Sequence, residues 1–362
     1  MCALPKSILI CDDSLFMRTT LKRIINEDMG FTIIGMARDG LEGVEMSSFL
    51  KPDIITMDLQ MPKMDGVTAI ARILEKYPIP ILVVSSFAKS THENTIKALE
   101  NGAVDYVLKP GDDLKNYLDK ESFFRFKEQL LAKLHICSEA KVKKLATKLP
   151  PLRAGKIFQK KHLSAGSGSR QVVVIGSSTG GPQVLAQMLS QFPADFPAPI
   201  FVCQHMHFEF TRSLAARLAK VCSLRAKLAE QDEIIKGGTI YILPGNRNLE
   251  IVSTNCETIY LSRFFENQIH KPSIDVLFIS AVEVYGSSTR GCILTGMGED
   301  GILGMQKIID AGGVNFAQDE DSCAVFGMPS AAIKKGLVYK ICSPMQFAGE
   351  IMTSFEVKKR VF

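Results

Sequence analysis

The chain has 362 residues, 46% of them hydrophobic and 22% charged, a balance that excludes a disordered or fibrous polymer and leaves ample core material for two or more domains. Its formal net charge of +5 is local: positions 131–170 hold ten Lys/Arg against Glu139 alone. That places the basic excess on a connecting stretch rather than on a folded face for nucleic acid.

From the N-terminus the pattern alternates strand and helix. Strands are expected at Ser7–Cys11, Thr32–Met36, Ile54–Asp58, Ile81–Ser85 and Val104–Val107, with helices from about Ser14, Leu41, Gly66, Glu93 and Leu114. Five βα units predict a parallel, doubly wound sheet whose chemistry lies at the carboxyl ends of its strands. The residues at those ends are Asp12 and Asp13, Asp58, Ser85, and Lys109 with Pro110. Three converging carboxylates repel one another unless a cation sits among them, and hard oxygen ligands suit Mg²⁺. Taken singly, Asp13 or Ser14 is also a reasonable helix N-cap.

The segments Cys11-Asp12-Asp13-Ser14, Met57-Asp58-Leu59-Gln60-Met61-Pro62-Lys63-Met64-Asp65-Gly66 and Lys109-Pro110 resemble a response-regulator receiver domain over residues 5–130. The resemblance implies a flavodoxin-like (βα)5 fold. It makes Asp58 the phospho-acceptor, with Asp12, Asp13 and Asp58 holding Mg²⁺. Ser85 and Lys109 become phosphoryl contacts, and Tyr106 takes the place of the switch aromatic.

The last receiver helix has helical spacing to about Lys148. Pro150-Pro151 ends any helix, and Ser164–Ser169 reads as a flexible tether, so 131–170 is expected to be a basic flexible linker. A docking site for an acidic partner is the alternative use of that charge.

A second α/β region is expected over 171–355. Val172–Gly181 reads VVVIGSSTGG: a β-branched strand, a glycine-bounded turn and a helix start. Ser178 sits in the G-x-S-x-G arrangement of a nucleophile elbow. The unpaired amides of a following helix can stabilise a developing oxyanion. Next come strand Ile200–Gln204, helix Thr211–Ala219, and short strands Gly238–Leu243, Leu249–Val252 and Thr258–Leu261, expected as hairpins. Helix Ile274–Val284, strand Gly291–Thr295, another helix and strand, and a helical end after Met328 complete it. A serine nucleophile needs a base and an orienting carboxylate. His205 follows a strand at the same edge as Ser178, and Asp300 lies in a glycine-rich strand-to-helix loop. The order Ser–His–Asp differs from that of the α/β-hydrolases.

Other readings stay open from pattern alone. His205 and His207 with Glu209 are a possible metal set without nearby partners of ligand spacing. The turn at 176–181 is a possible phosphate cradle without the P-loop lysine. Asp300 is also placed to cap the helix that follows it.

The segments Gly176–Gly181, Gln204-His205-Met206, Phe210-Thr211-Arg212-Ser213, Pro272–Phe278, Leu294–Gly301 and Phe326-Gly327-Met328-Pro329 resemble the chemotaxis protein-glutamate methylesterase (CheB) family. That resemblance implies a doubly wound, largely parallel catalytic domain with Ser178 as nucleophile, His205 as base and Asp300 as its orienting partner. Thr179 and Met297 become active-site neighbours whose amides serve the oxyanion. It further implies methylated chemoreceptors as substrate, a chemotaxis histidine kinase as phosphodonor, deamidation of receptor glutamines, and recruitment to chemoreceptor arrays in the cytoplasm. No cofactor is implied for ester hydrolysis. Ser177, where alanine is usual, and His207-Phe208-Glu209, where a proline is usual, depart from the pattern.

Nine scattered cysteines without a C-x-x-C pair argue for reduced thiols. The N-terminus lacks the flank and apolar run of a signal peptide. The longest uncharged run, 171–194, is broken by Gly176, Gly180, Gly181 and Pro182, so no membrane insertion is expected. Two other classes compete with a regulated hydrolase: a receiver-controlled DNA-binding protein, and a catalytically silent receiver-controlled adaptor that binds chemoreceptors.

Overall fold

A computed structural model describes residues 4–86, 89–110, 119–142, 171–253, 256–263 and 272–357. The chain divides into two compact units, Met1–Pro151 and Leu152–Phe362.

In the first unit, strands β1 (Lys6–Cys11), β2 (Phe31–Ala37), β3 (Ile54–Met57), β4 (Ile81–Ser85) and β5 (Asp105–Leu108) form one parallel sheet in the order β2-β1-β3-β4-β5. That is the flavodoxin-like order. β3 and β4 are buried along their whole length, as strands covered on both faces require. The intervening helices are α1 (Leu15–Ile25), α2 (Gly40–Leu50), α3 (Gly66–Lys76) and α4 (Lys89–Glu100). Local chemistry starts three of them: Ser14, Asp39 and Asp65 each accept an amide of the first turn. Helix α5 (Lys120–Ser138) is capped by Asp119 and carries Lys133, which donates to Asp105 and to the Tyr106 carbonyl. The helix start expected at Leu114, and most of the expected linker with its tether, lie outside the described residues.

The second unit is built on a seven-stranded sheet. Its strands are β6 (Val172–Ser177), β7 (Ile200–Gln204), β8 (Arg225–Leu228), β9 (Thr239–Ile242), β12 (Thr289–Ile293), β13 (Val314–Gln318) and β14 (Lys340–Cys342). The order is β14-β13-β12-β6-β7-β9-β8, every pair parallel. Among the described residues, β10 (Asn248–Ser253) and β11 (Glu257–Ser262) form the one antiparallel strand pair. The expectation of hairpins throughout the middle region therefore fails for β9, which joins the parallel sheet beside β7. β8 and β14 were not expected at all. Helices α6 (Gly181–Leu189), α7 (Phe208–Val221), α8 (Ile274–Tyr285), α9 (Ile302–Asp310), α10 (Met328–Lys334) and α11 (Phe347–Val357) complete the unit.

The chain runs from β6 rightward to β7 and later returns to β12 on the other side of β6. The order reverses there, which makes the crevice above the carboxyl ends of β6 and β12 the natural place for a ligand. No described helix is long and apolar enough to cross a membrane.

Candidate active site and phosphoryl site

Ser178 leaves β6 at this crevice. Its amide donates to the Thr295 carbonyl (3.0 Å), and its carbonyl accepts from Gly181 N (2.9 Å), closing a tight turn into α6. The turn works because Gly180 takes φ +78°, a left-handed conformation that suits glycine. Opposite it, a β-carbon on Gly296 would stand 2.6 Å from that of Ser178, so only glycine lets the β12 loop come this close.

His205 follows β7, whose last residue Gln204 pairs with Ser177. Four hydrogen bonds fix the two turns together. His205 N donates to the Ser177 carbonyl (3.0 Å). Gln204 Nε2 donates to the carbonyls of Ser178 (2.8 Å) and His205 (3.2 Å), and Gln204 Oε1 accepts from Ser177 Oγ (2.7 Å). Gln204 is buried and has both ends of its amide satisfied, so it ties the Ser178 turn to the His205 turn. The unusual hydroxyl of Ser177 is absorbed by the same link.

Asp300 meets His205 directly, Oδ2 to Nε2 at 2.8 Å. It does not cap the helix that follows it: the N-cap of α9 is Gly301, and no side chain caps that end. Instead Asp300 seats on the N-terminus of α8, accepting from Ile274 N (2.8 Å), Asp275 N (3.1 Å) and Ser273 Oγ (3.1 Å). Burial pushes the Asp300 carboxyl up, but the hydrogen bonds from His205 and the two amides outweigh it and hold it below the usual carboxylate range. An ionised carboxylate in a fixed orientation is what an imidazole base requires. Because Nε2 is committed to Asp300, the metal reading of His205, His207 and Glu209 gains no support. Among the described residues, the group placed to hold an ion lies elsewhere.

Thr179 is buried, and its carbonyl accepts from Thr295 Oγ1 (2.9 Å). Met297 is exposed on the loop after β12, whose preceding residue Gly296 is clamped by amides of Gly327 and Met328 on its carbonyl. Sequence reasoning did not single out Gln204, Ser273 or Thr295 as site residues. All three lay inside or beside the motif segments, and only tertiary contacts reveal their work.

A second acid, Asp275, lies beside Asp300. Burial pushes it up to about 6, the Gly304 amide that donates to it pulls the other way, and the Asp300 charge adds to burial. Its folded pKa lies above the ordinary 3.8, so ionising it costs stability as pH rises from about 4 through about 6. Asp275→Asn, which keeps an oxygen for the Gly304 amide, is therefore expected to raise Tm by a few degrees above pH 6 and by nothing near pH 4. Thermal unfolding across that range checks this, and a gain of equal size at every pH would contradict it.

In the first unit the acids expected at strand ends come together with Lys109. Ligand oxygens of Asp12, Asp13 and Asp58 lie within 4.8 Å of one another. Lys109 Nζ stands 2.8 Å from Asp58 Oδ2 and 2.9 Å from Asp12 Oδ2. Burial pushes Asp12 up to about 6; Lys109 pulls it down and Asp58 adds to the rise. Three carboxylates against one ammonium leave two negative charges in excess, a hard-oxygen set that fits a divalent cation such as Mg²⁺. Ser85 ends β4, buried; its Oγ donates to the Ser86 carbonyl (3.3 Å) and accepts from Thr95 Oγ1 (3.2 Å). Thr95 is a hydroxyl the sequence reading did not name. Tyr106 is buried, with Lys133 Nζ 4.8 Å above its ring.

Comparison with known proteins agrees with both units. Residues 173–351 match the CheB methylesterase family model, and 8–119 match the response regulator receiver domain. A protein-glutamate methylesterase/protein-glutamine glutaminase of Archaeoglobus fulgidus is 38% identical over 97% of this chain and 98% of its own. One of Pyrococcus horikoshii is 37% identical over 91% of this chain and 88% of its own. The chain belongs to this methylesterase/glutaminase family. The crystal structure of the Thermotoga maritima CheB methylesterase catalytic domain aligns with a TM-score of 0.50 at 38% identity, over 51% of this chain and 99% of that one. This methylesterase-family chain is accordingly a hydrolase joined to a receiver domain, and the reading as a silent adaptor gives way.

Proposed function

We propose that Ser178, His205 and Asp300 hydrolyse γ-glutamyl methyl esters on chemoreceptors, under control of phosphorylation at Asp58. The Asp300–His205 contact, with three further donors holding the carboxylate, is the observation that carries the catalytic assignment.

Ser178 Oγ attacks the ester carbonyl, and the serine proton passes to His205. With Nε2 held by Asp300, that transfer falls to Nδ1. The amide of Ser178 is spent on Thr295, so the oxyanion is served from the next positions, by the amides of Thr179 and Met297. His205 then protonates departing methanol, and water, deprotonated by His205, cleaves the acyl-enzyme to the glutamyl carboxylate and free Ser178. With a glutamine substrate the same sequence releases ammonia.

In the receiver, Asp12, Asp13 and Asp58 would hold Mg²⁺, which neutralises negative charge during phosphoryl transfer. Lys109 and Ser85 would contact the phosphoryl oxygens, with Tyr106 as the responding aromatic. A chemotaxis histidine kinase would be the donor, at chemoreceptor arrays in the cytoplasm. Phosphorylation acts only by contacting the resting and active states differently. Methanol release is expected to rise severalfold with a small phosphodonor and Mg²⁺, and Asp58→Asn is expected to abolish the rise while keeping the resting rate. An equal response in Asp58→Asn would remove Asp58 from this role.

A further inference from the structure

We propose that Arg247 and Arg263, at the base of the β10–β11 hairpin, bind the carboxylates that flank the target residue in an acidic polypeptide substrate. This rests on reading Ser178, His205 and Asp300 as a site for glutamyl side chains.

Hairpin register brings the two arginines together. Asn248 pairs with Ser262, so the next residues outward, Arg247 and Arg263, stand opposite each other. Like charges directly opposite on an antiparallel pair are destabilising. Among the described residues neither arginine has an acidic partner within ion-pair distance; Lys227 takes Glu230 and Glu233, and Asp232 accepts from Gln231 Nε2 (2.7 Å). The two guanidinium groups face a shared cleft of about 510 Å³, lined also by Gln231, Tyr260 and Leu261. An anion in that cleft would relieve their repulsion, and the fork of a guanidinium suits a carboxylate.

Position ties the cleft to catalysis. Arg247 ends the short turn 244–247, which is wedged between the two halves of the catalytic contact. On one side, Gly245 N donates to Thr211 Oγ1 (3.2 Å), and a β-carbon on Gly245 would lie 1.9 Å from the Met206 carbonyl, next to His205. On the other, Asn248 Oδ1 accepts from Ser273 N (3.1 Å), and Ser273 Oγ donates to Asp300. A polypeptide entering over Ser178 therefore has a basic, partly aromatic cleft beside it.

The reaction itself supplies the partner's chemistry. Each hydrolysed ester becomes a carboxylate, so a segment bearing several target residues is anionic around the one still esterified. The cleft reads that charge, favouring esters set among acids over isolated ones.

The test uses the full-length Ser178→Ala protein, so that substrate is held without turnover. Two labelled peptides carry one γ-methyl glutamyl residue, flanked in one by glutamates and in the other by glutamines. At low salt the acidic peptide is expected to bind at least about tenfold more tightly, the preference shrinking as salt screens it. Adding Arg247→Gln and Arg263→Gln is expected to bring the two affinities together while leaving the glutamine peptide's affinity as it was. Equal affinities before those substitutions, or a preference that survives them, would overturn the proposal. Hydrolysis of the same peptides by the protein with Ser178 intact reports separately on the esterase reading. Turnover without discrimination sinks only the arginine site, and discrimination without turnover sinks only the esterase.

Discussion

Ser178→Ala is expected to abolish methanol release, with a loss of kcat on the order of 10⁵–10⁶-fold, the range seen when a triad nucleophile is removed. Stability should barely change. The Ser178 backbone carries the structural bonds, to Thr295, Gly181 and Gln204, and alanine keeps all of them. A folded protein with an unaltered unfolding transition and no esterase activity is the expected pair of results. Substantial remaining turnover would mean that another group attacks the ester.

Asp300→Asn is expected to lower kcat by about 10³–10⁴-fold, less than loss of the nucleophile, and to destabilise the fold as well. Both effects follow from the four donors on this carboxylate. Oδ2 faces His205 Nε2 and Ile274 N; Oδ1 faces Asp275 N and Ser273 Oγ. An asparagine amide must turn its NH₂ group to one side or the other, and either way it meets a backbone N–H. Toward Ile274 it also forces His205 to accept at Nε2, which leaves the proton on Nδ1 and removes the base. The substitution further strips a negative charge from the N-terminus of α8, worth about 1 kcal/mol on its own. Steady-state kinetics with urea unfolding separates the two losses. Full activity in Asp300→Asn would show that the contact serves only to pin α8.

Much of this was legible because it is local. The strand–turn–helix around Ser178 and the residues at strand ends are written in consecutive positions, and an alternating βα pattern leaves few topologies. What escaped was set by partners distant in the chain. β8, with the sequence Arg225–Leu228, carries charged residues and is a strand because it lies along β9. β9 has the pattern of any short strand, and only its neighbour β7 makes it parallel rather than part of a hairpin. Asp300 reads locally as a cap for α9, whereas its donors belong to α8, about 25 residues earlier. Arg247 and Arg263 look like unrelated surface charges until the hairpin register sets them face to face.

If Ser178 carries the acyl group during turnover, acid-quenching the protein in mid-turnover with a glutamyl ester peptide traps it there, and mass spectrometry maps the covalent adduct. The predicted result is an adduct of substrate mass less methanol on the segment containing Ser178, absent from Ser178→Ala. An adduct on another residue, or none while Ser178→Ala hydrolyses the ester at an undiminished rate, would rule out Ser178 as the acyl carrier.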